Sequence, residues 1–296
     1  MNLYNRTERG NNMLATVNFF GTQITRAIVG DNPVNGHSYI PDIITGAEMQ
    51  AYYTREKTLE MLFRAEECGY NALLPLACPF MLETLREYRS QGGSMHLIFQ
   101  PYPAVPLEIN IGEMMALDPL AIYHQGSTTD YLIETGSEAA LISNLELLRR
   151  TKLPVGLSSH LPEIIRRSDD QNWDVDFYMT SLYNARRDRH GEQSAFITGK
   201  TKSEIIFYPD DRFEMFEAIK ATDKPCVAYK ILAGGQVLAG KAESEHAQII
   251  EDCISETLDN IKPSDPLCFG VFQACTDQLA QNAAIMKKLE VLVRER

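Results

Sequence analysis

The chain has 296 residues, 44% of them hydrophobic and 23% charged, which suits a well-packed globular protein and excludes a fibrous, collagen-like or wholly disordered one. A formal net charge of −12 argues against a general nucleic-acid binder, which needs a basic face. No apolar run reaches the roughly 20 residues of a membrane span. Residues 1–13 are polar and read as a flexible tail ahead of a single domain over 14–296. The six cysteines form no CxxC pair, and their scatter fits a reduced, cytoplasmic protein in which they act as small buried hydrophobes.

Leu14–Phe20 and Ile24–Gly30 are apolar, β-branched runs separated by Gly21-Thr22-Gln23, a hairpin running into a strand. Thr54–Cys68 sets Leu59, Leu62 and Phe63 among charges, an amphipathic helix stopped by Gly69. Asn71–Leu76 is a strand, Met81–Arg89 a helix halted by Gly92-Gly93, and His96–Gln100 a strand followed by Pro101, Pro103 and Pro106. Ile111–Ala116 reads as a short helix and Leu120–His124 as a strand. Thr135–Arg150 reads as a helix with a capping box from Thr135 to Glu138. Strands follow at Val155–Ser159, Val175–Tyr183, Pro225–Leu232 and Leu267–Phe272, with helices at Pro162–Arg167, Asp210–Ala221, Glu243–Ile261 and Thr276–Arg294. The connection Asn184–Lys202, rich in charge and glycine, is a candidate lid.

Short, almost continuously apolar strands, each followed by helical material, imply a parallel sheet buried on both faces. Counted from Ile24–Gly30 there are about eight such units, the number of a (β/α)8 barrel, or TIM barrel, with the N-terminal hairpin closing its bottom. A doubly wound open sheet is the other arrangement; it wants a glycine-rich phosphate loop, and the sequence has neither GxGxxG nor GxxxxGK[ST].

In such a barrel, the active site forms at the C-terminal strand ends. That rule selects Asp31, Asn32, Asn35 and His37 after the first strand, Gln100 and Tyr102 after the third, and His124 after the fourth. It adds Ser158 and His160 from the fifth, Tyr183 from the sixth, and Tyr229 and Lys230 from the seventh. His37, His124 and His160 could gather a divalent metal with Asp31, or act singly as proton or hydrogen-bond donors. Lys230 could be a nucleophilic amine if it faces the lumen, or a salt-bridge partner if it does not. Asp174 and Asp176 read as a solvated strand entry, and Trp173 and Phe177 as packing.

The segments AEECGYNALL (Ala65–Leu74), AIYHQG (Ala121–Gly126), VGLSSH (Val155–His160), TSLYN (Thr180–Asn184), VAYKILAGG (Val227–Gly235) and DQLAQN (Asp277–Asn282) fall in the order of motifs in the aldo-keto reductase superfamily. Together with the opening hairpin they make the chain resemble a divergent member of it, over roughly Leu14–Lys288. The resemblance implies an oxidoreductase barrel that binds NAD(P), with Ser158, Tyr229 and Asn282 at the cofactor positions. It places Leu74, Pro79 and Gln100 on the positions of the family's catalytic aspartate, tyrosine and lysine, and keeps only the histidine, as His124. Phe272 and Gln278 stand where cationic groups hold the 2′-phosphate.

Three functions follow. The first is a barrel enzyme acting on a small hydroxylated or carboxylated molecule without the NADPH/tyrosine mechanism, metal-assisted hydrolase, lyase or isomerase chemistry included. The second is a surviving NAD(P)-dependent oxidoreductase working through His124. The third is a small-molecule-binding barrel without catalysis. The expected partner is a small-molecule substrate, with neither nucleic acid nor membrane; the oligomeric state stays open.

Overall fold

The computed structural model describes residues 14–185 and 205–294. The expected tail over 1–13 and nearly all of the candidate lid lie outside the described residues. Strands β1 (Thr16–Phe19) and β2 (Thr22–Thr25) form the antiparallel hairpin, with Thr16 opposite Thr25. Eight parallel strands then close a barrel in chain order: β3 (Ala27–Gly30), β4 (Ala72–Leu74), β5 (His96–Phe99), β6 (Ala121–His124), β7 (Val155–Ser159), β8 (Phe177–Ser181), β9 (Cys226–Tyr229) and β10 (Leu267–Gly270). The ring shuts where β10 pairs with β3, Leu267 opposite Ala27 and Gly270 opposite Gly30. This is the (β/α)8 barrel that the alternation predicts.

The helices form the outer layer: α1 (Gly46–Tyr52), α2 (Arg55–Glu67), α3 (Pro79–Ser90), α4 (Leu107–Met115), α5 (Gly126–Glu134), α6 (Glu138–Arg149), α7 (Pro162–Asp170), α8 (Asp211–Ala221), α9 (Glu243–Asn260) and α10 (Gln278–Arg294). A 3-10 helix, Ala233–Leu238, follows β9. Two of these helices differ from the sequence reading. α1 opens on a capping box between Thr45 and Glu48, and its weakly apolar GAEMQAY hides it from a periodicity search. α5 occupies a stretch that reads as loop. Thr135 is its C-cap, donating its hydroxyl to the Tyr131 carbonyl at 2.8 Å, so the expected capping box from Thr135 to Glu138 does not form. α6 starts instead at Ser137, after Gly136 turns the chain with φ +69°.

Strand alternation sorts the side chains into two apolar clusters. Ile28, Leu74, Ile98, Tyr123, Phe177, Met179 and Val227 fill the lumen. Val29, Leu73, Phe99, Ile122, Leu157, Tyr178 and Ala228 join the packing between barrel and helices. The hairpin sends Val17, Phe19 and Ile24 into the lumen cluster, and the Phe19 ring meets Phe177, the first residue of β8, at 5.1 Å. That contact closes the N-terminal end of the barrel. At this end Arg26 Nε donates to the Asp265 carbonyl at 3.2 Å, and the Ala15 amide donates to Glu290 Oε2 at 3.2 Å. Trp173 is buried, as expected, and Asp174 and Asp176 stand at the entry to β8, where both pair with Arg149. Among the described residues no helix is long and apolar enough to cross a membrane.

Candidate active site

Three of the expected residues, Ser158, His160 and Tyr229, meet at the C-terminal mouth with an aspartate that the sequence reading passed over. His160, just past β7, donates from its backbone and ring to Asp130 of α5, with Nδ1 to Oδ2 at 2.7 Å. Asp130 is fully buried and also accepts the Ser159 hydroxyl at 2.6 Å. The His160 ring stands edge-on to Tyr229, with centroids 5.9 Å apart, and the Tyr229 and Ser158 hydroxyls are hydrogen-bonded at 3.2 Å. Gly126, the first residue of α5, lets this group form: a Cβ there would lie 2.8 Å from Ser158 Oγ, 3.3 Å from Tyr229 Oη and 3.4 Å from His160 Cε1. Burial holds the Tyr229 phenol well above its ordinary pKa, so it stays protonated.

Lys230 lies just beyond β9 with φ +61°. Successive strand residues point to opposite faces, yet the Lys230 ammonium sits over the ring of its own neighbour, Tyr229, at 5.3 Å from the centroid. The left-handed backbone accompanies this turn back over the ring. Tyr39 and Phe207 complete a cage, with Nζ 5.2 and 5.6 Å from their centroids. The cage is assembled from loops after β3, β8 and β9, and Gln236 ties them together: its amide donates to the Tyr39 and Ile205 carbonyls at 3.0 and 2.7 Å and accepts from the Phe207 N–H at 3.0 Å.

Asp31 sits on the opposite side of the same strand layer as a buried organiser. Its Oδ2 accepts the Leu76 N–H at 2.7 Å and Asn35 Nδ2 at 2.8 Å, stitching the end of β3 to the chain after β4. Burial pushes its carboxyl up to about 6, against the pull of those two donors. Asn32 and His37 are half-buried in the following turn, where the Asn32 carbonyl accepts the His37 N–H at 2.9 Å. Gln100 and Tyr102 are half-buried beyond β5, and the Tyr102 N–H is fixed by Asn110 at 2.8 Å. Tyr183 is buried behind the cage, its ring 5.6 Å from Phe207 and its hydroxyl accepting from Arg212 at 3.2 Å.

His124 does not join the mouth. In β6 it is Ala121 and Tyr123 that face the lumen, so the residue after Tyr123 turns outward. Its Nδ1 lies 2.7 Å from the Thr129 hydroxyl, and its Nε2 lies 3.2 Å from the Asn144 amide. The Thr129 hydroxyl donates to the Gln125 carbonyl at 3.0 Å, so it accepts from Nδ1–H, and Nε2 accepts from Asn144. Both nitrogens of a neutral imidazole are thus engaged. Burial lowers its pKa to about 4, in keeping with that state. His124 borders an open cavity of about 470 Å³, walled by Pro101, Pro103 and Pro106 and shared with Gln125, Thr128 and Asn144.

The convergence of His37, His124 and His160 on a metal is therefore corrected. His124 is bonded to Thr129 and Asn144 and His160 to Asp130, and among the described residues no group of three or more His, Cys, Asp or Glu could hold an ion. The nucleotide positions divide as well. Ser158 and Tyr229 are together, while Asn282 is buried in α10. Gln278 Oε1 is taken by the Phe272 N–H, the Phe272 ring packs on Tyr52 and Tyr53, and Arg64, which reaches this loop, is paired with Asp277 at 2.8 Å. These residues do not fit the 2′-phosphate of NADP.

No known protein family matches the chain, and no curated protein matches it in sequence. Solved structures do share its fold. An aldo-keto reductase from Klebsiella pneumoniae in complex with NADPH has a TM-score of 0.53 at 12% identity over 95% of both chains. Gox0644 in its apo form gives 0.53 at 11% over 93% of both chains. Yersinia pestis DHPS with a pterine-sulfa conjugate gives 0.53 at 10% over 95% of this chain and 99% of that one. Similarity this even across different proteins at such low identity establishes the barrel alone.

Proposed function

We propose that this protein is an enzyme acting on a small hydroxylated or carboxylated molecule at the barrel mouth, with His160 as its general acid–base. The observation that carries the reading is the buried Asp130–His160 pair beside Ser158 and Tyr229. A carboxylate on Nδ1 fixes the imidazole tautomer and stabilises the imidazolium, so proton exchange runs through Nε2. The Ser158 and Tyr229 hydroxyls offer donors and acceptors to a polar substrate, and Gly126 lets them approach α5 closely because it has no side chain. The NADPH/tyrosine mechanism has no support here. The positions matching its tetrad carry Leu74, Pro79 and Gln100, and the matching histidine, His124, has both nitrogens engaged away from the lumen.

The test is turnover of a panel of sugars, sugar acids and hydroxy acids followed by NMR, for wild type, His160→Asn and Asp130→Asn. Loss of a general acid–base should cost about 10²–10⁴-fold in rate while circular dichroism stays native. Turnover undiminished in His160→Asn overturns the reading. Compounds that bind the wild type and are never transformed make the protein a binding barrel instead.

A further inference from the structure

We propose that the cavity beside His124 binds an uncharged planar heterocycle carrying both an N–H donor and a carbonyl acceptor, as a uracil-type nucleobase does. None of its lining residues belongs to the Asp130–His160 pair, and binding here does not depend on acid–base chemistry there. The hydrogen bonds around His124 decide how two amides are used. The Gln125 backbone carbonyl can only accept, so the Thr129 hydroxyl donates to it at 3.0 Å and accepts from His124 Nδ1–H at 2.7 Å. His124 Nε2 is then an acceptor, and Asn144 presents Nδ2 to it at 3.2 Å, which leaves Oδ1 over. The Thr128 hydroxyl lies 2.6 Å from Gln125 Oε1, a length that suits O–H···O better than N–H···O, so Gln125 uses its oxygen there and keeps Nε2. Among the described residues neither Asn144 Oδ1 nor Gln125 Nε2 has a hydrogen-bond partner, and neither is sealed from solvent. Both residues line the cavity.

The other lining residues narrow the ligand further. Pro101, Pro103 and Pro106, with Val105 and Leu107, make an apolar wall, and none of the ten lining residues carries a charge, since His124 is neutral. A charged ligand would enter without a counter-ion. A wholly apolar one would cover the two amide groups and leave them unpaired. Proline rings pack well against flat rings. The wall is also set before anything binds: each proline fixes its own φ, and the Tyr102 N–H donates to buried Asn110 at 2.8 Å, which in turn donates to the Ala77 carbonyl at 2.8 Å. At about 470 Å³ the cavity falls within the range of small-molecule sites, about 300–1,000 Å³. The ring lies along the prolines, giving its N–H to Asn144 Oδ1 and taking the Gln125 Nε2 hydrogen on its carbonyl.

The experiment is an NMR titration of the full-length protein with uracil and with 1,3-dimethyluracil, which keeps the ring and both carbonyls but has no N–H. Uracil should bind, shifting the side-chain amide signals of Gln125 and Asn144, and the dimethylated ring should bind at least about tenfold more weakly. Gln125→Leu keeps the backbone carbonyl that Thr129 uses and should weaken uracil by about tenfold, with native circular dichroism. Asn144→Leu should do the same; if it fails to fold, Gln125→Leu alone decides. Equal binding of the two rings makes the cavity a merely apolar cleft and overturns the proposal. So does the absence of binding by either ring up to about 10 mM. Uracil binding that survives Gln125→Leu and is lost in His160→Asn would place the ring at the mouth and overturn it as well.

Discussion

Replacing Asp31 by Asn should make the protein more stable at neutral pH and leave it unchanged near pH 4. The hydrogen bonds from the Leu76 N–H and Asn35 Nδ2 to the Asp31 carboxyl fall on one oxygen, Oδ2. An asparagine can place its carbonyl there and keep both, so the substitution removes little but the ionisation. The folded carboxyl is pushed up to about 6 by burial, from an ordinary value of 3.8. A raised acid favours the folded state while it is protonated, and that contribution is lost as pH rises through the folded value. Two units correspond to about 3 kcal/mol, so the stability of Asp31→Asn minus that of wild type should climb by about 3 kcal/mol between pH 4 and 6.5 and then stay flat. Urea unfolding of both proteins across pH 4–8, at equal m-values, measures the difference directly. A difference curve without slope over that interval would refute the claim that this carboxylate is desolvated.

His124 gives the opposite sign. Its pKa is lowered by burial to about 4, so its contribution is present above the unfolded value and is lost as pH falls toward 4. Relative to His124→Gln, the wild type should therefore lose about 3 kcal/mol on acidification from pH 6.5 to 4, with turnover at the mouth unaffected. Phe19→Ala removes the ring that closes the barrel base against Phe177 and should cost about 3–5 kcal/mol in urea unfolding, with turnover retained above the transition. Gly126→Ala puts a methyl within 2.8 Å of Ser158 Oγ, which should raise KM for whatever polar substrate the wild type accepts by about tenfold or more. An unchanged KM in that variant would place the substrate elsewhere.

The barrel was legible in the sequence because each strand is a short apolar run and most helices between strands carry their own period and stop signal, as in Thr54–Cys68 ended by Gly69. The site was legible only in part. Strand ends located His160, Ser158, Tyr229 and Lys230, but which way a side chain faces depends on a parity of one residue. Tyr123 took the lumen position in β6, and His124 was sent out between helices. Asp130 escaped because Gly-Ser-Thr-Thr-Asp carries turn-forming residues and no apolar stripe, so α5 looked like loop. The cage escaped for another reason: Tyr39, Phe207 and Gln236 are brought together only by closure of the barrel, and no local pattern links residues 197 positions apart.

The contact between Ala15 and Glu290 has a practical meaning. It brings the two ends of the described chain side by side at the base of the barrel, opposite the mouth. A short linker across that gap would let the polypeptide be opened at a surface turn such as Gly136 without breaking the ring, giving a circular permutant with the same strand order.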